Sequence, residues 1–541
     1  MLLDPQIAEE LSFALRQRQI ARGVAILDRA KSDLLLIQPD TPNAASLLLL
    51  IAQWVDVGYP DHLLLETLLQ RFSPECRKKL CLDDYLRLRM AEASLALLTG
   101  GADLAIEALD FVLKAERNFP DATLAAIAHF WKGRAHRKKG EYETSLQDLV
   151  RARELAQESE DDLLTAVVQI QESWLLFQSG KRKDALRLLA HAESVLKATD
   201  HWIALGNIES ARGRIVRRSG EYAAALEHFA RAVSLYFKGD PNHRNLARTL
   251  VNASYVRRLL ALQIRRKIDC HVRSGRTAGD ARSKLLTNSR EELRARYEQL
   301  SQSALLDLTR ARHIYALHAN RDGFGRVALN LGYLYLDRGE IDQSALEAGE
   351  AYALGLQQKD HILMARARIL QAAIENAHVE EQTGEEADIA LHATRAKEYS
   401  EEAVTLAQET QNRRLLAGAC IARGMTAAND FFQEWEMARR CAGEAGELIG
   451  PGENDHIVED LAGLKAKVVQ ASGINDTLRS WSEGLVGGKT FQQITEEFAE
   501  IVIPKVWMRE DRKISRVAES LSVSPKKVRR ILRNAGLLGR D

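Results

Sequence analysis

A repeat of forty residues constrains the fold of this chain more than any other feature of its sequence. The segments KKGEYETSL, QSGKRKDAL and RSGEYAAAL place turn glycines at Gly140, Gly180 and Gly220. A small residue lies seven positions before each glycine and an alanine twelve positions after it: Gly133, Ser173 and Gly213, then Ala152, Ala192 and Ala232. Short side chains at these positions allow two antiparallel helices joined by a tight turn to pack closely. The pattern therefore predicts stacked helix pairs.

A fourth copy of the pattern lies further along the chain. The segment LGYLYLDRGEIDQSALEAGEA repeats the spacing with Gly332, Gly339 and Ala351. Apolar residues recur at steps of three and four positions, strand-like alternation is nearly absent, and only ten prolines occur in 541 residues. At this length, and with 46% hydrophobic residues, the chain exceeds the size of a single core. We therefore expect an all-α protein with several domains or an elongated array of repeats.

The repeated segments resemble the tetratricopeptide repeat family, whose units are helix-turn-helix pairs with this pattern of small and large residues. Tyr335 lies at the family's aromatic position, and the resemblance covers residues 85–240 and 320–450. The forty-residue step is longer than the family unit of about 34 residues. The resemblance implies an α-solenoid whose concave face binds a protein, a peptide or a small effector.

Departures from the repeat predict how the chain is divided. The stretches 243–318 and 361–409 hold longer helical patterns, interrupted by the polar breaks RSGRTAGDARSK and VEEQTGEEAD. Glycine and polar residues near 471–488 are typical of a linker. We predict divergent helical repeats at 1–84, tetratricopeptide-like repeats at 85–242, an oversized helix pair at 243–320, further repeats at 321–470, a linker at 471–488 and a small domain at 489–541.

The end of the sequence carries a strong local charge, although the whole chain has 75 basic and 75 acidic residues. Between Lys505 and Asp541 there are eleven basic residues and four acidic ones, an excess of seven positive charges. A chain of zero net charge does not coat nucleic acid or anionic membrane over its whole surface. Any electrostatic function is therefore regional, and this region is the first candidate.

The apolar spacing within the basic region predicts a helix-turn-helix. One helical face is formed by Val517, Ala518 and Leu521, and after the turn SVS the inner face of a second helix is formed by Val528, Ile531 and Leu532. Ser524 and Pro525 are an N-cap and a first-turn proline, which mark the start of this second helix. Because its inner face is anchored, the basic side chains of the second helix are expected to point outward.

The expected DNA contacts follow from this arrangement. The second helix is expected to enter the major groove, where basic side chains meet phosphates and guanine edges. Backbone amides at its start near Ser524 are expected to bind a phosphate. Lys513 and Arg516 on the first helix are expected to contact backbone phosphates. The cations expected to act from the second helix are Lys526, Lys527, Arg529, Arg530 and Arg533.

Residues 491–537 resemble the Fis-type helix-turn-helix, the DNA-binding module of that nucleoid protein and of many bacterial enhancer-binding activators. The matching positions are Phe498, Ile503, Trp507, Val517, Ala518, Leu521, Val523, Val528, Ile531, Leu532 and the closing NAGL. The resemblance implies duplex DNA as the partner and a homodimer in which the preceding helices form the contact. Ser522 stands at the usual glycine and predicts a tolerant or left-handed backbone, and Pro504 predicts a kink or restart of the preceding helix.

A second basic segment, residues 257–284, has nine basic and two acidic residues. In one interpretation it is a further contact, for DNA or for a partner protein. In the other it is a helix with a solvated basic face. In the second interpretation, which we favour, its cations pair with the acidic segment SREELRARYEQ that follows.

No sequence pattern indicates catalysis, a metal site or a cofactor. The five cysteines form no C-x-x-C pair, the fourteen histidines form no H-E-x-x-H pair, and neither a Walker loop nor a G-x-S-x-G motif is present. The first residues are acidic where a secretory signal is basic, and the longest apolar run is too short to span a bilayer. We expect a cytoplasmic protein that is not an enzyme and does not bind membranes.

Two functions from different classes fit these observations. The first is a bacterial transcriptional regulator, with a solenoid that receives a signal and a helix-turn-helix that binds duplex DNA. The alternative is an interaction scaffold whose terminal helix-turn-helix binds protein. Binding to DNA weakens steeply with salt, which distinguishes the two experimentally.

Overall fold

The computed structural model describes residues 5–116, 121–275, 280–318, 320–381, 385–450, 452–471, 481, 488–510, 512–535 and 537–538. Every regular element among these residues is an α-helix. The helices are α1 (Pro5–Arg16), α2 (Ile20–Leu34), α3 (Ala44–Val57), α4 (His62–Gln70), α5 (Pro74–Arg77), α6 (Leu82–Thr99), α7 (Ala102–Glu116), α8 (Ala122–Lys139), α9 (Tyr142–Glu158), α10 (Asp162–Gln178), α11 (Arg182–Leu196), α12 (Trp202–Arg218), α13 (Tyr222–Gly239), α14 (Arg244–Gly275), α15 (Asp280–Leu317), α16 (Arg321–Arg338), α17 (Ile341–Gln358), α18 (His361–Glu381), α19 (Glu386–Gln408), α20 (Arg413–Ala427), α21 (Trp435–Leu448), α22 (His456–Ala471), α23 (Phe491–Arg509), α24 (Ile514–Ser520) and α25 (Pro525–Asn534).

The chain divides into two compact units, residues 1–464 and residues 465–541. We call them the first unit and the second unit. The predicted linker at 471–488 lies outside the described residues except at positions 471, 481 and 488. Within the described ranges, no helix is both long and apolar enough to cross a membrane.

The first unit is an α-solenoid in which consecutive helices from α6 to α21 pack against each other along the chain. The turn glycines Gly140, Gly180, Gly220 and Gly339 have φ values of 85°, 82°, 79° and 79°. This left-handed conformation ends the first helix of a pair and starts the tight turn to the second, and glycine adopts it without strain. The repeat read from the sequence is therefore confirmed as a stack of helix pairs.

The small residues of the repeat lie where paired helices approach most closely. A Cβ atom on Gly133 would lie 2.8 Å from Cγ of Leu149, and one on Gly213 would lie 2.7 Å from Cε1 of Phe229. The Ser145 hydroxyl also donates a hydrogen bond to the Gly133 carbonyl at 2.6 Å, and Ser344 makes the equivalent bond to Gly332 at 2.8 Å. The alanines twelve positions after each turn glycine are fully buried: Ala152, Ala192, Ala232 and Ala351.

The longest helix pair is α14 and α15, with 32 and 38 residues. Among the described side chains, three of its cations pair with acids other than those expected in the segment 289–299. Arg257 instead pairs with Asp307, Arg258 with Asp337 and Arg266 with Glu459. These ion pairs follow from the antiparallel packing of α14 and α15, which brings the first half of α14 beside the second half of α15 and beside α16. The side chains of residues 269–289 lie outside the described set.

Hydrogen bonds between distant repeats close the solenoid on itself. The Gln411 amide donates to the Gly140 carbonyl at 3.2 Å, and the Glu143 amide donates to Oε1 of Gln411 at 2.6 Å. Near the end of the first unit, the Asn454 amide donates to the Arg218 carbonyl at 2.8 Å. These bonds join the turns of α8 and α12 to the loops before α20 and α22. The inner helices of the array therefore surround a cavity.

The second unit has a small core of its own, built from α23, α24 and α25. Its buried members are Ile503, Trp507, Val517, Ala518, Val528, Ile531 and Leu532. Of the two outcomes expected at Pro504, a kink or a restart of the helix, the restart does not occur, since α23 continues through this residue. Proline removes one backbone donor, and the buried side chains of Ile503 and Trp507 on either side anchor the helix to the core.

Candidate nucleic-acid interface and solenoid cavity

The start of α25 has the geometry that its sequence predicts. The Ser524 hydroxyl accepts a hydrogen bond from the Lys527 amide at 3.2 Å, and Pro525 occupies the first helical position. Ser522, in the turn from α24, has a left-handed φ of 51°, as expected at this position. Inside the helix, Val528, Ile531 and Leu532 are buried. The orientation of α25 about its own axis is therefore set by its apolar face.

Most of the predicted DNA-contacting side chains are exposed. Lys526, Arg529 and Arg533 lie on the outward side of α25, opposite its buried face. Lys513 is the N-cap of α24 and Arg516 lies in its first turn; both are exposed, as is Ser524. The two short helices thus carry a cationic surface formed by Lys513, Arg516, Lys526, Arg529, Arg530 and Arg533.

Glu496 on α23 engages Lys527 and Arg530, an interaction that sequence reasoning missed. Its carboxylate forms an ion pair with Arg530 and lies 3.5 Å from the Lys527 ammonium. The Arg530 side chain is still 56% exposed. Glu496 lies 34 positions before Arg530, and only the packing of α25 on α23 brings them together. The acid therefore offsets part of the charge of the predicted recognition helix.

A cavity of about 1030 Å³ lies within the first unit, lined by the inner helices α8, α10, α12, α14, α16, α18 and α20 with parts of α3, α6 and α22. Fifteen arginine and lysine side chains line it, against six aspartates and glutamates. The sequence resemblance implied a ligand on the concave face of the solenoid but did not indicate these charged side chains. The sequence does contain a signal for the cationic lining. Arg134 and Arg214 lie two forty-residue repeats apart, and so do Arg137 and Arg217. Repeat-equivalent positions stack on one face of a solenoid.

Several arginines of the cavity have acidic partners. Arg134 pairs with Asp56 at 2.5 Å, and the Trp131 indole donates to the same carboxylate at 3.0 Å. Arg414 pairs with Asp455 at 2.5 Å and also with Glu453. These pairs satisfy buried charge, as buried carboxylates and guanidinium groups require.

Other arginines of the cavity face mainly each other. Burial, together with the charges of Arg248, Arg134 and Arg326, lowers the pKa of Arg137 to about 9. Burial and the charges of Arg248 and Arg137 hold the pKa of Arg214 well below its usual range. Among the described residues, neither Arg137 nor Arg214 forms an ion pair with a carboxylate. The cavity therefore contains positive charge that the protein itself does not neutralise.

Aromatic rings hold some of these guanidinium groups in place. Arg214 lies 4.1 Å from the ring centroid of Trp174, and Arg217 lies 4.9 Å from that of Tyr255. A cation over an aromatic face is attracted by the ring and loses mobility. Stacked in this way, a guanidinium keeps the N–H groups at its edge for hydrogen bonding.

Comparison with known proteins supports the repeat architecture. Residues 123–198 match the family model of the tetratricopeptide repeat, which confirms the expected type of repeat over this part of the chain. No curated protein sequence matches the chain.

Three solved structures are similar to this chain at low identity. A Rap protein complexed with competence and sporulation factor is 10% identical, with a TM-score of 0.48 over 86% of this chain and 98% of its own. The quorum sensor NprR from B. thuringiensis, in its apo form, is 13% identical, with a TM-score of 0.38 over 82% and 97%. A human IFIT1 dimer with m7Gppp-AAAA is 12% identical, with a TM-score of 0.43 over 83% and 96%. Likenesses at this level assign no ligand to this chain.

Proposed function

We propose that the chain is a bacterial transcriptional regulator that binds duplex DNA through α24 and α25 and receives a signal in its solenoid. The observation that carries this proposal is the anchoring of α25. Its apolar side is buried by Val528, Ile531 and Leu532, while Lys526, Arg529 and Arg533 are exposed on the other side. A helix with one fixed face and one cationic face suits insertion into the major groove.

Further contacts to DNA are proposed around this helix. The backbone amides at the start of α25, next to the Ser524 cap, form a site for one phosphate. Lys513 and Arg516 lie at the start of α24 and contact the backbone beside the groove. Arg530 and Lys527 join the interface when the nearby phosphates compete with Glu496 for them.

A homodimer is part of the proposal, because a single small module buries little surface on DNA and binds weakly. The proposed contact is the exposed apolar side of α23. Phe491 is 85% exposed and Phe498 is 48% exposed, and they lie seven positions apart on the same side of the helix. A second copy of the chain would cover them, and dimeric regulators place their recognition helices about one turn of DNA apart.

The alternative remains an interaction scaffold whose terminal helices bind protein. One observation favours it, since Glu496 already neutralises part of the charge of α25. In either case we propose a non-enzymatic, cytoplasmic protein whose solenoid binds a protein, a peptide or a small effector.

Retardation of labelled duplex DNA by the full chain across a salt series tests the proposal. The logarithm of affinity should fall linearly with the logarithm of salt concentration. The double variant Arg529→Ala/Arg533→Ala should reduce the magnitude of that slope by about two, because each lost phosphate contact changes it by about 0.9.

The matched control is Arg187→Ala/Arg439→Ala, which removes two exposed arginines of the first unit. It should leave the slope unchanged. Equal slopes for both double variants, or the absence of retardation at low salt, would favour the scaffold.

A further inference from the structure

The cavity of the first unit has the size and enclosure of a ligand site. Its volume of about 1030 Å³ is at the upper end of the roughly 300–1,000 Å³ of small-molecule pockets. The contacts of Gln411 with Gly140 and of Asn454 with Arg218 close the array around it. An occupant of small-molecule size would therefore be surrounded by the inner helices.

Four of the six acids that line the cavity are already engaged in other contacts. Asp161 and Asp360 accept hydrogen bonds from the backbone amides of Leu164 and Leu363 at 2.8 and 3.0 Å, and so cap α10 and α18. Asp56 is held by Arg134 and Trp131, and Glu459 by Arg266. Asp161 and Asp360 therefore stabilise helix starts, while Asp56 and Glu459 neutralise Arg134 and Arg266.

Three arginines from three different inner helices lack a carboxylate ion pair among the described residues. Arg137 lies on α8, Arg214 on α12 and Arg248 on α14, and all three line the same cavity. The charge of Arg248 lowers the pKa of both Arg137 and Arg214, so these groups repel one another within the cavity. The Nε atom of Arg137 is buried without a hydrogen-bond partner, and so is that of Arg248. Clustered like charges in a buried site destabilise the empty protein unless an anion joins them.

We propose that this cavity binds a compact small molecule that carries two or more linked phosphates, with Arg137, Arg214 and Arg248 as its main ligands. Guanidinium groups bind phosphate oxygens bidentately, and several of them in one place suit dense negative charge. An acidic peptide distributes its carboxylates along a chain with about 3.3–3.6 Å per residue, whereas linked phosphates concentrate negative charge in one place, which suits guanidinium groups that line one cavity. Nucleotides and inorganic polyphosphates share the required chemistry. This inference rests on the proposed function in that it names the effector of the solenoid.

Calorimetric titration of the full chain at fixed ionic strength tests the ligand class. The probes are sodium tripolyphosphate, ATP, adenosine and an octaglutamate peptide. Tripolyphosphate and ATP should bind, and adenosine and the peptide should bind at least about tenfold more weakly. Tighter binding of ATP than of tripolyphosphate identifies a nucleotide, and equal binding identifies the phosphate chain alone. Binding of the peptide alone, or of none of the probes, would overturn the inference.

The double variant Arg137→Gln/Arg214→Gln tests the residues. It should weaken tripolyphosphate binding by about tenfold or more for each arginine removed. Because it also relieves repulsion, the melting temperature of the ligand-free variant should equal or exceed that of the wild type. Arg248→Gln is a second, milder variant that should weaken binding in the same way. Unchanged affinity in both variants would refute the assignment.

Two control variants separate this inference from DNA binding. Arg187→Gln/Arg439→Gln removes exposed arginines outside the cavity and should bind tripolyphosphate as the wild type does. Arg529→Ala/Arg533→Ala should also bind it normally while its DNA retardation is impaired. Loss of tripolyphosphate binding in this last variant would place the anion on the second unit and refute the cavity site. Absence of DNA retardation with intact tripolyphosphate binding would refute only the proposed function.

Discussion

Arg530 on α25 and Glu496 on α23 form an ion pair, and Lys527 lies 3.5 Å from the same carboxylate. A carboxylate in this position weakens the attraction of α25 for phosphates and limits the reach of both cations. It also fixes two long side chains in one arrangement before any partner binds. Glu496 is therefore the residue whose removal tests most directly what α25 binds.

The variant Glu496→Gln should bind duplex DNA more tightly at low salt. Removing one negative charge from the interface is expected to raise affinity about fivefold, equivalent to ~1 kcal/mol. Retardation assays at several salt concentrations measure the change. Glu500→Gln, an exposed acid on the same helix, is the control and should have a smaller effect. Weaker DNA binding by Glu496→Gln would mean that the ion pair positions Arg530 for its partner.

The exposed phenylalanines of α23 predict a change in oligomeric state. In Phe491→Asp/Phe498→Asp, charged groups replace the proposed apolar contact, and the chain should sediment as a monomer at concentrations where the wild type is a dimer. Leu104→Asp, at an exposed apolar position of the first unit (65% exposed), is the control. Identical sedimentation of the wild type and the double variant would remove α23 as the dimer contact.

Two turn glycines form a matched pair for testing the closure of the solenoid. Gly180 and Gly220 have nearly the same left-handed φ, 82° and 79°. A Cβ atom on Gly180 would meet nothing within 4 Å, whereas one on Gly220 would lie 2.4 Å from the Asn454 carbonyl oxygen. Gly180→Ala should cost about 1–2 kcal/mol of left-handed strain. Gly220→Ala should cost about 1–3 kcal/mol more, because Asn454 has to move.

Urea unfolding of the two glycine variants measures this difference. If both alanine variants lose the same stability, the contact between the α12 turn and Asn454 contributes nothing to the fold. A larger loss for Gly180→Ala would contradict the geometry of the closure.

A buried histidine predicts how stability depends on pH. His201 is 4% exposed, and burial together with the charge of Arg18 lowers its pKa to about 3. The unfolded chain binds a proton at this residue below about pH 6.5 and the folded chain does not. Stability should therefore be lost as the pH falls from 6.5 towards 3, by about 1.4 kcal/mol per pH unit from this group.

In the variant His201→Gln, the free energy of unfolding should lose the pH dependence that His201 contributes. Denaturant unfolding between pH 7 and pH 5 measures the slope for the variant and the wild type. The buried His243 also has a pKa held well below its usual range, by burial and by charges that include that of His201, so the difference measures His201 together with its effect on His243. His313→Gln, at an exposed position, is the control and should keep the wild-type slope. Equal slopes for the wild type and His201→Gln would contradict the burial of a neutral imidazole.

The local features of the fold were predictable from the sequence because each depends on neighbouring residues. The turn glycines need a left-handed backbone at a fixed step, and the cap at Ser524 and the apolar spacing of α25 follow from its own residues. A kink or a restart was expected at Pro504; α23 does not restart there, and Ile503 and Trp507 on either side of the proline are buried in the core. Local rules therefore predicted the elements but not every boundary.

The features missed from the sequence depend on contacts between distant segments. Glu496 meets Arg530 only because α25 folds back on α23. The arginines of the cavity come from helices spread from α1 to α20, and their neighbourhood depends on the curvature of the array. Likewise, Arg258 pairs with Asp337 rather than with the acids that follow it in the sequence because α14 packs beside α16. Repeat spacing indicates which face a residue occupies, but not how tightly the array curls.

The hydrogen bond between Gln411 and Gly140 changes how the array is expected to come apart. An open row of repeats behaves as a one-dimensional chain, in which the terminal units can fray while the middle stays folded. A bond that spans roughly half the protein penalises such fraying, since several repeats must separate together before any of them is released. Unfolding of the solenoid should therefore be more cooperative than a row of independent repeats allows.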